Sequence, residues 1–188
     1  MNRSKTKKLT TIGMLCVLAY IAAAFGRIPV ILFLKYDPKD IIIVIGGLLF
    51  GPLVSVEISM IVAIAQMFTI SGTGILGCIM NIISSCSFAC TAASIYKRKR
   101  RPPEVIIGLV CGCICQTAVM MLWNYWIAPI YMGYPREAIV ELLLPAFLPF
   151  NLIKGGLNAA FAAILYHPVI MALRRSGLVE CEGEKGEK

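Results

Sequence analysis

The residues of this sequence that are best placed to bind a ligand lie at the start of its last apolar segment. Residues 149–158 read Pro-Phe-Asn-Leu-Ile-Lys-Gly-Gly-Leu-Asn, and apolar residues continue from there to His167. In a helix, Asn151, Lys154 and Asn158 are at i, i+3 and i+7, so they share one face. A lysine at the centre of a membrane helix costs about 2.5–3.5 kcal/mol. Such a lysine could extend its ammonium to the membrane interface or pair with a neighbouring residue. It could also belong to a polar ligand site, and the two asparagines on its face favour this interpretation.

Other polar side chains are expected at a similar depth. With a rise of about 1.5 Å per helical residue, Asn124 lies near the outer end of the fifth apolar segment, and Asn81 lies slightly deeper on the fourth. Trp123, Tyr125 and Trp126 flank Asn124 and are either interface anchors or the walls of a pocket. Amides, aromatic walls and one cation suit a flat, polar, heteroaromatic ligand with hydroxyl groups or a weak anionic charge.

The residue groups that catalysis would need are missing from this depth. The sequence has no paired carboxylates there, no serine–histidine arrangement and no phosphate-cradling glycine loop. Cys111, Cys113 and Cys115 are spaced two apart, so on a helix successive side chains point about 200° from one another and close no tetrahedral metal site. We therefore predict a protein that is not an enzyme, that uses no cofactor and that has no metal site.

The composition identifies the environment of these groups. Of the 188 residues, 59% are hydrophobic and 15% are charged, and the mean hydropathy is +0.81. Soluble domains have about 45–50% apolar and about 25% charged residues, so the sequence predicts an all-α integral membrane protein. The net charge of +8 lies in short clusters between apolar runs, which is typical of cytoplasmic loops and does not indicate a nucleic-acid partner.

The apolar runs predict six membrane-spanning helices in a single domain. Their approximate bounds are residues 9–25, 40–51, 53–69, 75–96, 104–128 and 149–173. The first run, with its charged start and small residues at 22–24, imitates a secretory signal, but many spans follow and we interpret it as a retained helix. Residues 26–39 are expected to form an outer loop, Asp40 is placed to cap the short second helix, and residues 137–144 are a candidate interfacial helix.

Basic residues orient the chain in the membrane. Clusters at residues 3–8, 97–101 and 174–175 fall on one side of the predicted membrane, and the outer loops hold only four basic residues. By the positive-inside rule both termini are cytoplasmic, as are the basic loop 97–103 and the polar tail 176–188. We predict that the protein lies in the plasma membrane. Within the spans, Glu57 is expected to pair with an inner basic residue or to contact a partner, and Gln66 and Gln116 are candidate interhelical links.

Several motifs together resemble a known family. They are Phe-Leu-Lys-Tyr-Asp-Pro-Lys-Asp at 33–40, Leu-Leu-Phe-Gly-Pro-Leu at 48–53, Asn124, and Pro-Phe-Asn-Leu-Ile-Lys-Gly at 149–155. The chain is similar to the riboflavin-specific substrate-binding (S) subunit of bacterial energy-coupling factor (ECF) transporters. The likeness covers essentially the whole length, with the loop at 36–38 and the element at 151–154 as its more specific parts.

The resemblance implies a six-helix S-subunit fold with the ligand near the outer face. Asn124, Asn151 and Lys154 would hydrogen-bond the flavin ring edge or the ribityl hydroxyls, and residues 34–40 would form a lid. The expected ligand-binding residues are Leu34, Tyr36, Asp37, Asp40, Asn81, Asn124, Asn151 and Lys154. The transported ligand would be riboflavin. The sequence does not indicate whether riboflavin or its phosphate ester FMN binds more tightly.

The resemblance also implies partners, namely a membrane-embedded coupling (T) subunit and two cytoplasmic ATPases. Small residues on the first span would dock against the coupling subunit, since they let helix backbones approach closely. Ala19 and Ala23 fit, with Ala22 adjacent, although alanine is common in membrane helices generally. The alternatives are an S subunit for folate, pantothenate or thiamin, a small enzyme acting on lipid headgroups through Glu57 or Asp40, and a structural subunit.

Overall fold

The computed structural model describes residues 3–26, 28–31, 34–70, 74–133 and 135–175. The elements in chain order are helix α1 (Arg3–Phe25), strands β1 (Ile28–Ile31) and β2 (Leu34–Tyr36), helices α2 (Lys39–Phe50), α3 (Pro52–Thr69), α4 (Gly74–Lys99), α5 (Pro102–Met132) and α6 (Arg136–Leu142), a π-helical turn (Leu143–Phe147) and helix α7 (Leu148–Arg175). Helices cover each of the six predicted segments.

Five of the described helical stretches are long and apolar enough to cross a membrane. Helix α2 is the exception, because its 12 residues extend only about 18 Å at about 1.5 Å per residue, short of a hydrocarbon core of about 30 Å. It is buried on nearly all sides, among α1, α3, α4 and α7. This short helix is therefore a central element of the bundle, and its first residues are held inside it.

The segment expected to be a plain loop between α1 and α2 contains a β-hairpin. Strands β1 and β2 pair antiparallel, with Ile28 opposite Tyr36, and the β-branched residues of β1 favour this extended conformation. Pro38 precedes α2 as its N-cap residue, and no side chain caps this end. The expectation that Asp40 caps α2 is wrong, because Asp40 lies in the first turn and its carboxylate is used in contacts with other helices.

Two other boundaries differ from the sequence-based expectation. Helix α4 continues to Lys99 and α5 begins at Pro102, so the basic loop 97–103 is reduced to Arg100 and Arg101. The candidate interfacial helix 137–144 corresponds to α6, which leads through the π-helical turn directly into α7. Pro145 lies in that turn, consistent with a residue that cannot donate to the regular helical ladder. The predicted tail 176–188 lies outside the described residues.

The apolar core is formed by inward faces of α1 to α5 and α7, and it includes Leu15, Val44, Ile58, Phe88 and Ala162. Ala19 belongs to this core, and Ala19 and Ala23 are both 0% exposed. The expectation that these two alanines form a docking surface is therefore contradicted: they let α1 approach its own neighbouring helices. Ala22 is half-buried.

Helices α4 and α5 approach closely because α5 presents glycine to α4. A Cβ at Gly112 would lie 2.7 Å from the carbonyl oxygen of Phe88, and one at Gly108 would lie 2.8 Å from that of Ala92. These backbone atoms belong to the neighbouring helix and move only if the helices separate. Glycine is therefore required where the two helices that position Asn81 and Asn124 meet.

We expect Gly112→Ala to lower the stability of the purified protein by about 1–3 kcal/mol, because the added methyl group overpacks this contact. Thermal unfolding in detergent measures the effect. Gly156→Ala is the matched control, since nothing lies within 4 Å of a Cβ there and alanine is the better helix former. Equal melting temperatures for the two variants would show that the α4–α5 contact does not depend on glycine.

Candidate ligand-binding site

A buried ion pair joins the first turn of α2 to α7. The Lys154 ammonium lies 3.2 Å from Oδ2 of Asp40, and the two residues are 7% and 1% exposed. Asp40 also accepts hydrogen bonds from Ser85 Oγ on α4 and, at 3.3 Å, from Asn158 Nδ2 on α7. A charge pair in a membrane interior is stable only when its remaining hydrogen-bonding groups are satisfied, and the carboxylate of Asp40 has three donors from two helices.

Lys154 extends the polar cluster to α4 and α5. Its ammonium donates to Ser84 Oγ at 3.2 Å, and Gln116 Nε2 donates to the same oxygen at 3.0 Å. An ammonium has three hydrogens, and the contacts described for Lys154 use two of them. One hydrogen of a buried cation is thus left to donate to a ligand. The prediction that Gln116 links helices is confirmed by its bond to Ser84.

A hydrogen bond within the same cluster joins the hairpin to α7. Tyr36 Oη donates to Asn158 Oδ1 at 2.9 Å, and Asn158 is 0% exposed. Burial, followed by the nearby carboxylates of Asp40 and Asp37, raises the pKa of Tyr36 to about 12. The hydroxyl therefore stays protonated at neutral pH and remains a donor to Asn158.

A second buried ion pair holds the junction between the hairpin and α2. The Lys39 ammonium donates to Asp37 Oδ2 at 2.8 Å and to Asn81 Oδ1 on α4 at 3.1 Å. Gln66 Nε2 on α3 lies 3.4 Å from the same Asp37 oxygen. Lys39 is 0% exposed, although the sequence placed it on an outer loop. The charges of Asp37 and Lys39 therefore face the bundle interior.

Asn151 and Asn124 are the other predicted contacts whose surroundings the structure describes. Asn151 is buried, and its Nδ2 donates to the carbonyl oxygen of Phe147 at 2.8 Å. Asn124 is buried too and lines a small cavity between α4 and α5 with Gly77, Met80 and Trp123. The cavity has about 20 Å³ of water-sized space, enough for about one water molecule. A fused-ring ligand would therefore need neighbouring groups to move before it could occupy this place.

The aromatic residues beside Asn124 divide into two roles. Trp123 lines the cavity, as expected for a pocket wall. Tyr125 and Trp126 instead face Arg136 of α6, whose guanidinium lies 5.6 and 5.7 Å from their ring centroids. Such cation–π contacts are worth about 0.5–1 kcal/mol each at exposed sites. They hold the short α6 against the outer end of α5.

The structure brings Asp37, Asp40, Asn81 and Lys154 together with Tyr36 through the two ion pairs. It also adds residues that were not among the expected ligand contacts: Lys39, Ser84, Ser85, Gln116 and Asn158. A signal for some of these was present, since Ser84 and Ser85 follow Asn81 at helical spacing and Asn158 shares the face of Lys154. The side chain of Leu34 lies outside the described residues.

The chemistry of the cluster is that of binding. Its two lysines and two aspartates compensate each other. Its amides and hydroxyls offer directed hydrogen bonds, and they lie on helices α2, α4, α5 and α7. Within the part of the chain that the structure describes, no three histidine, cysteine or acidic residues are grouped to hold a metal ion. A buried polar cluster of this kind in a largely apolar bundle is a candidate site for a polar small molecule in a membrane protein.

Comparison with known proteins identifies the family to which the chain belongs. Residues 7–169 match the family described as ECF transporter, substrate-specific component, and the chain belongs to this family. The family is one of transport components, which confirms the predictions that the chain is a transporter substrate-binding subunit and is not an enzyme. The all-α membrane fold predicted from the sequence is confirmed as well.

Individual relatives cover nearly the whole chain. It is 26% identical over 184 residues to the riboflavin transporter RibU of Staphylococcus aureus (strain TCH60), covering 93% of this chain and 96% of that protein. It is 28% identical over 165 residues to the riboflavin transporter FmnP of Bacillus subtilis (strain 168), covering 80% and 85%. A solved structure described as the S component of a bacterial ECF transporter superposes with a TM-score of 0.79 at 27% identity, covering 91% and 99%.

Proposed function

We propose that this protein binds riboflavin at the outer side of the membrane as the substrate-specific subunit of an ECF vitamin transporter. The observation that carries the proposal is the buried cation Lys154, which keeps a free donor hydrogen among amides and hydroxyls of α4, α5 and α7. Flavins match this chemistry, because their ring edge carries hydrogen-bond acceptors and their ribityl chain carries hydroxyls. The relatives named as riboflavin transporters support the same ligand.

In this proposal the site residues have separate tasks. Lys154, Asn151 and Asn124 contact the ligand, and Trp123 provides flat apolar surface beside Asn124. Asp40 holds the Lys154 ammonium in position and is itself 1% exposed. Tyr36 and Asp37 tie the hairpin to the bundle. The hairpin and residues 37–39 form the lid, and lid movement opens the space that the ring system needs.

The charge balance of the site favours riboflavin over FMN. Both described buried lysines are already paired with carboxylates, Lys39 with Asp37 and Lys154 with Asp40. A phosphate group brought into this cluster would approach two carboxylates, and rearranging a buried ion pair is unfavourable. We therefore expect the neutral vitamin to bind more tightly than its phosphate ester.

Contacts between helix ends support an orientation with both termini in the cytoplasm. The Lys8 ammonium lies 5.9 Å from the ring centroid of Phe50, so the basic start of α1 is beside the end of α2 that is remote from Asp40. Basic residues also lie in the last turn of α4, remote from Asn81. The positive clusters and the ligand site are thus at opposite ends of the bundle, as the positive-inside rule requires of an outer site.

The proposed partners are a membrane-embedded coupling subunit and two cytoplasmic ATPases in the bacterial plasma membrane. The transport energy must come from such partners, since the chain carries no phosphate-binding glycine loop. Ala19 and Ala23 do not provide the docking surface, because they are buried in the chain's own core. The coupling subunit would meet an outward face of the bundle instead.

A fluorescence titration of the purified protein with riboflavin tests the proposal. We expect tight quenching in the wild type and about fivefold weaker binding in Asn124→Ala, because one neutral hydrogen bond is worth about 1 kcal/mol. Ser94→Ala is the control, since Ser94 is exposed on α4. A wild-type protein that binds another vitamin and not riboflavin would overturn the proposal, and an unchanged affinity in Asn124→Ala would remove Asn124 from the site.

A further inference from the structure

One acceptor beside the Lys154 cluster has no described partner. Gln116 is 0% exposed, and its Nε2 donates to Ser84 Oγ. Its other polar atom, Oε1, is buried and accepts no hydrogen bond within the described residues. Leaving an amide oxygen unpaired in an apolar surrounding is unfavourable. Its presence on a membrane helix therefore indicates that another molecule satisfies it in the functional state.

The position of Gln116 points to the ligand as that molecule. Gln116 and Lys154 both donate to Ser84 Oγ, so the amide of Gln116 and the ammonium of Lys154 are neighbours across one hydroxyl. Gln116 lies eight residues before Asn124 on α5, about 12 Å deeper along the helix axis. A long ligand that reaches in from Asn124 to Lys154 would therefore bring its inner end to Gln116.

Gln66 provides a comparison within the same molecule. Its Oε1 is also buried without a described partner, and its Nε2 lies near Asp37. Gln66 lies on α3 and its amide is near Asp37, in the ion pair at the lid junction. Gln116 lies on α5, as Asn124 does, and donates to Ser84 on α4. The two glutamines thus have the same unsatisfied atom in different clusters. Only Gln116 shares a hydrogen-bond partner with Lys154.

We propose that Gln116 is a specificity-determining residue whose Oε1 accepts a hydrogen bond from the imide N–H of the flavin ring, while Lys154 donates to a carbonyl oxygen next to it. This inference rests on the proposed function. The imide edge of a flavin has the order acceptor, donor, acceptor, and the cluster offers a donor from Lys154 and an acceptor from Gln116. A site built to pair an N–H group rejects analogues that lack it.

Two ligands test the assignment, riboflavin and 3-methylriboflavin, in which a methyl group replaces the imide hydrogen. With the purified full-length protein in detergent, we expect methylation to weaken binding roughly tenfold to hundredfold, because the amide oxygen stays unpaired. In Gln116→Leu, which has similar volume and no acceptor, riboflavin binds more weakly and the difference between the two ligands largely disappears. Gln66→Leu is the matched control and keeps the full difference.

The outcomes separate this inference from the proposed function. A wild-type protein that binds neither flavin contradicts the proposed function. A wild-type protein that binds both flavins equally well overturns the role of Gln116 and leaves riboflavin binding intact. The same conclusion follows if Gln116→Leu still discriminates as the wild type does. If Gln116→Leu does not fold, Gln116→Met gives the same comparison with an unbranched side chain. The comparison of the two flavins on the wild-type protein is by itself sufficient to overturn the inference.

Discussion

Replacing Lys154 with methionine is expected to weaken riboflavin binding roughly hundredfold and to lower the stability by about 3–5 kcal/mol. The first effect arises because the site loses a buried cation that keeps a hydrogen for the ligand. The second arises because Asp40, at 1% exposure, is left as a buried carboxylate without its ammonium partner. Fluorescence titration and thermal unfolding in detergent measure the two effects separately.

The double variant Lys154→Met/Asp40→Asn distinguishes binding from stability. With both charges removed no uncompensated ion remains, and Ser85 and Asn158 still have an amide to bond at position 40. Replacing a buried ion pair by neutral groups is often close to neutral in stability, so we expect the melting temperature to recover while binding stays weak. Recovery of both properties would show that Lys154 is a structural residue and does not contact the ligand.

Lys39→Met is the second substitution with a large expected effect. Lys39 is 0% exposed and holds Asp37 at 2.8 Å and Asn81 at 3.1 Å. Without it Asp37 is an unpaired buried carboxylate, which is expected to lower the stability by about 3–5 kcal/mol. The junction between the hairpin and α2 also loses its attachment to α4, so bound riboflavin should dissociate faster. Thermal unfolding and stopped-flow dissociation measure the two consequences.

Lys97→Met is the control for this substitution, since Lys97 is an exposed lysine in the last turn of α4. We expect it to leave both measurements unchanged. The double variant Lys39→Met/Asp37→Asn should recover most of the stability, because no uncompensated buried charge remains. Riboflavin should still dissociate faster from it than from the wild type. A dissociation rate for Lys39→Met equal to that of the wild type would show that the contact with Asn81 does not retain the ligand.

Comparison of Lys154 and Lys39 shows how far local pattern predicts a site. The face of Asn151, Lys154 and Asn158 follows from helical periodicity within one segment, and the energetic penalty of a lysine there predicts a buried partner or ligand. No such pattern identified Lys39. It stands beside a proline and two aspartates in a charged stretch, where a solvated lysine is the ordinary interpretation, and only the packing of α2 turns it inward.

The alanines of α1 also show what a local sequence pattern does not predict. Small residues four apart predict a close helix contact, and Ala19 and Ala23 do make one. Whether the neighbouring helix belongs to the same chain or to a partner is not encoded in the spacing. The tertiary structure places both alanines inside the bundle, so the contact is intramolecular.

The sequence by itself determined the membrane class, the positions of the helices, the family resemblance and the face that carries Lys154. Those properties depend on composition and on the 3.6-residue period, which act within one segment. The tertiary structure alone decided that Asp40 pairs with Lys154, that the loop contains a hairpin and that Gln116 keeps an unpaired oxygen. These depend on how separate helices pack, because a buried charge or amide is satisfied by groups distant in the chain and the sequence does not specify which of them come within hydrogen-bonding distance.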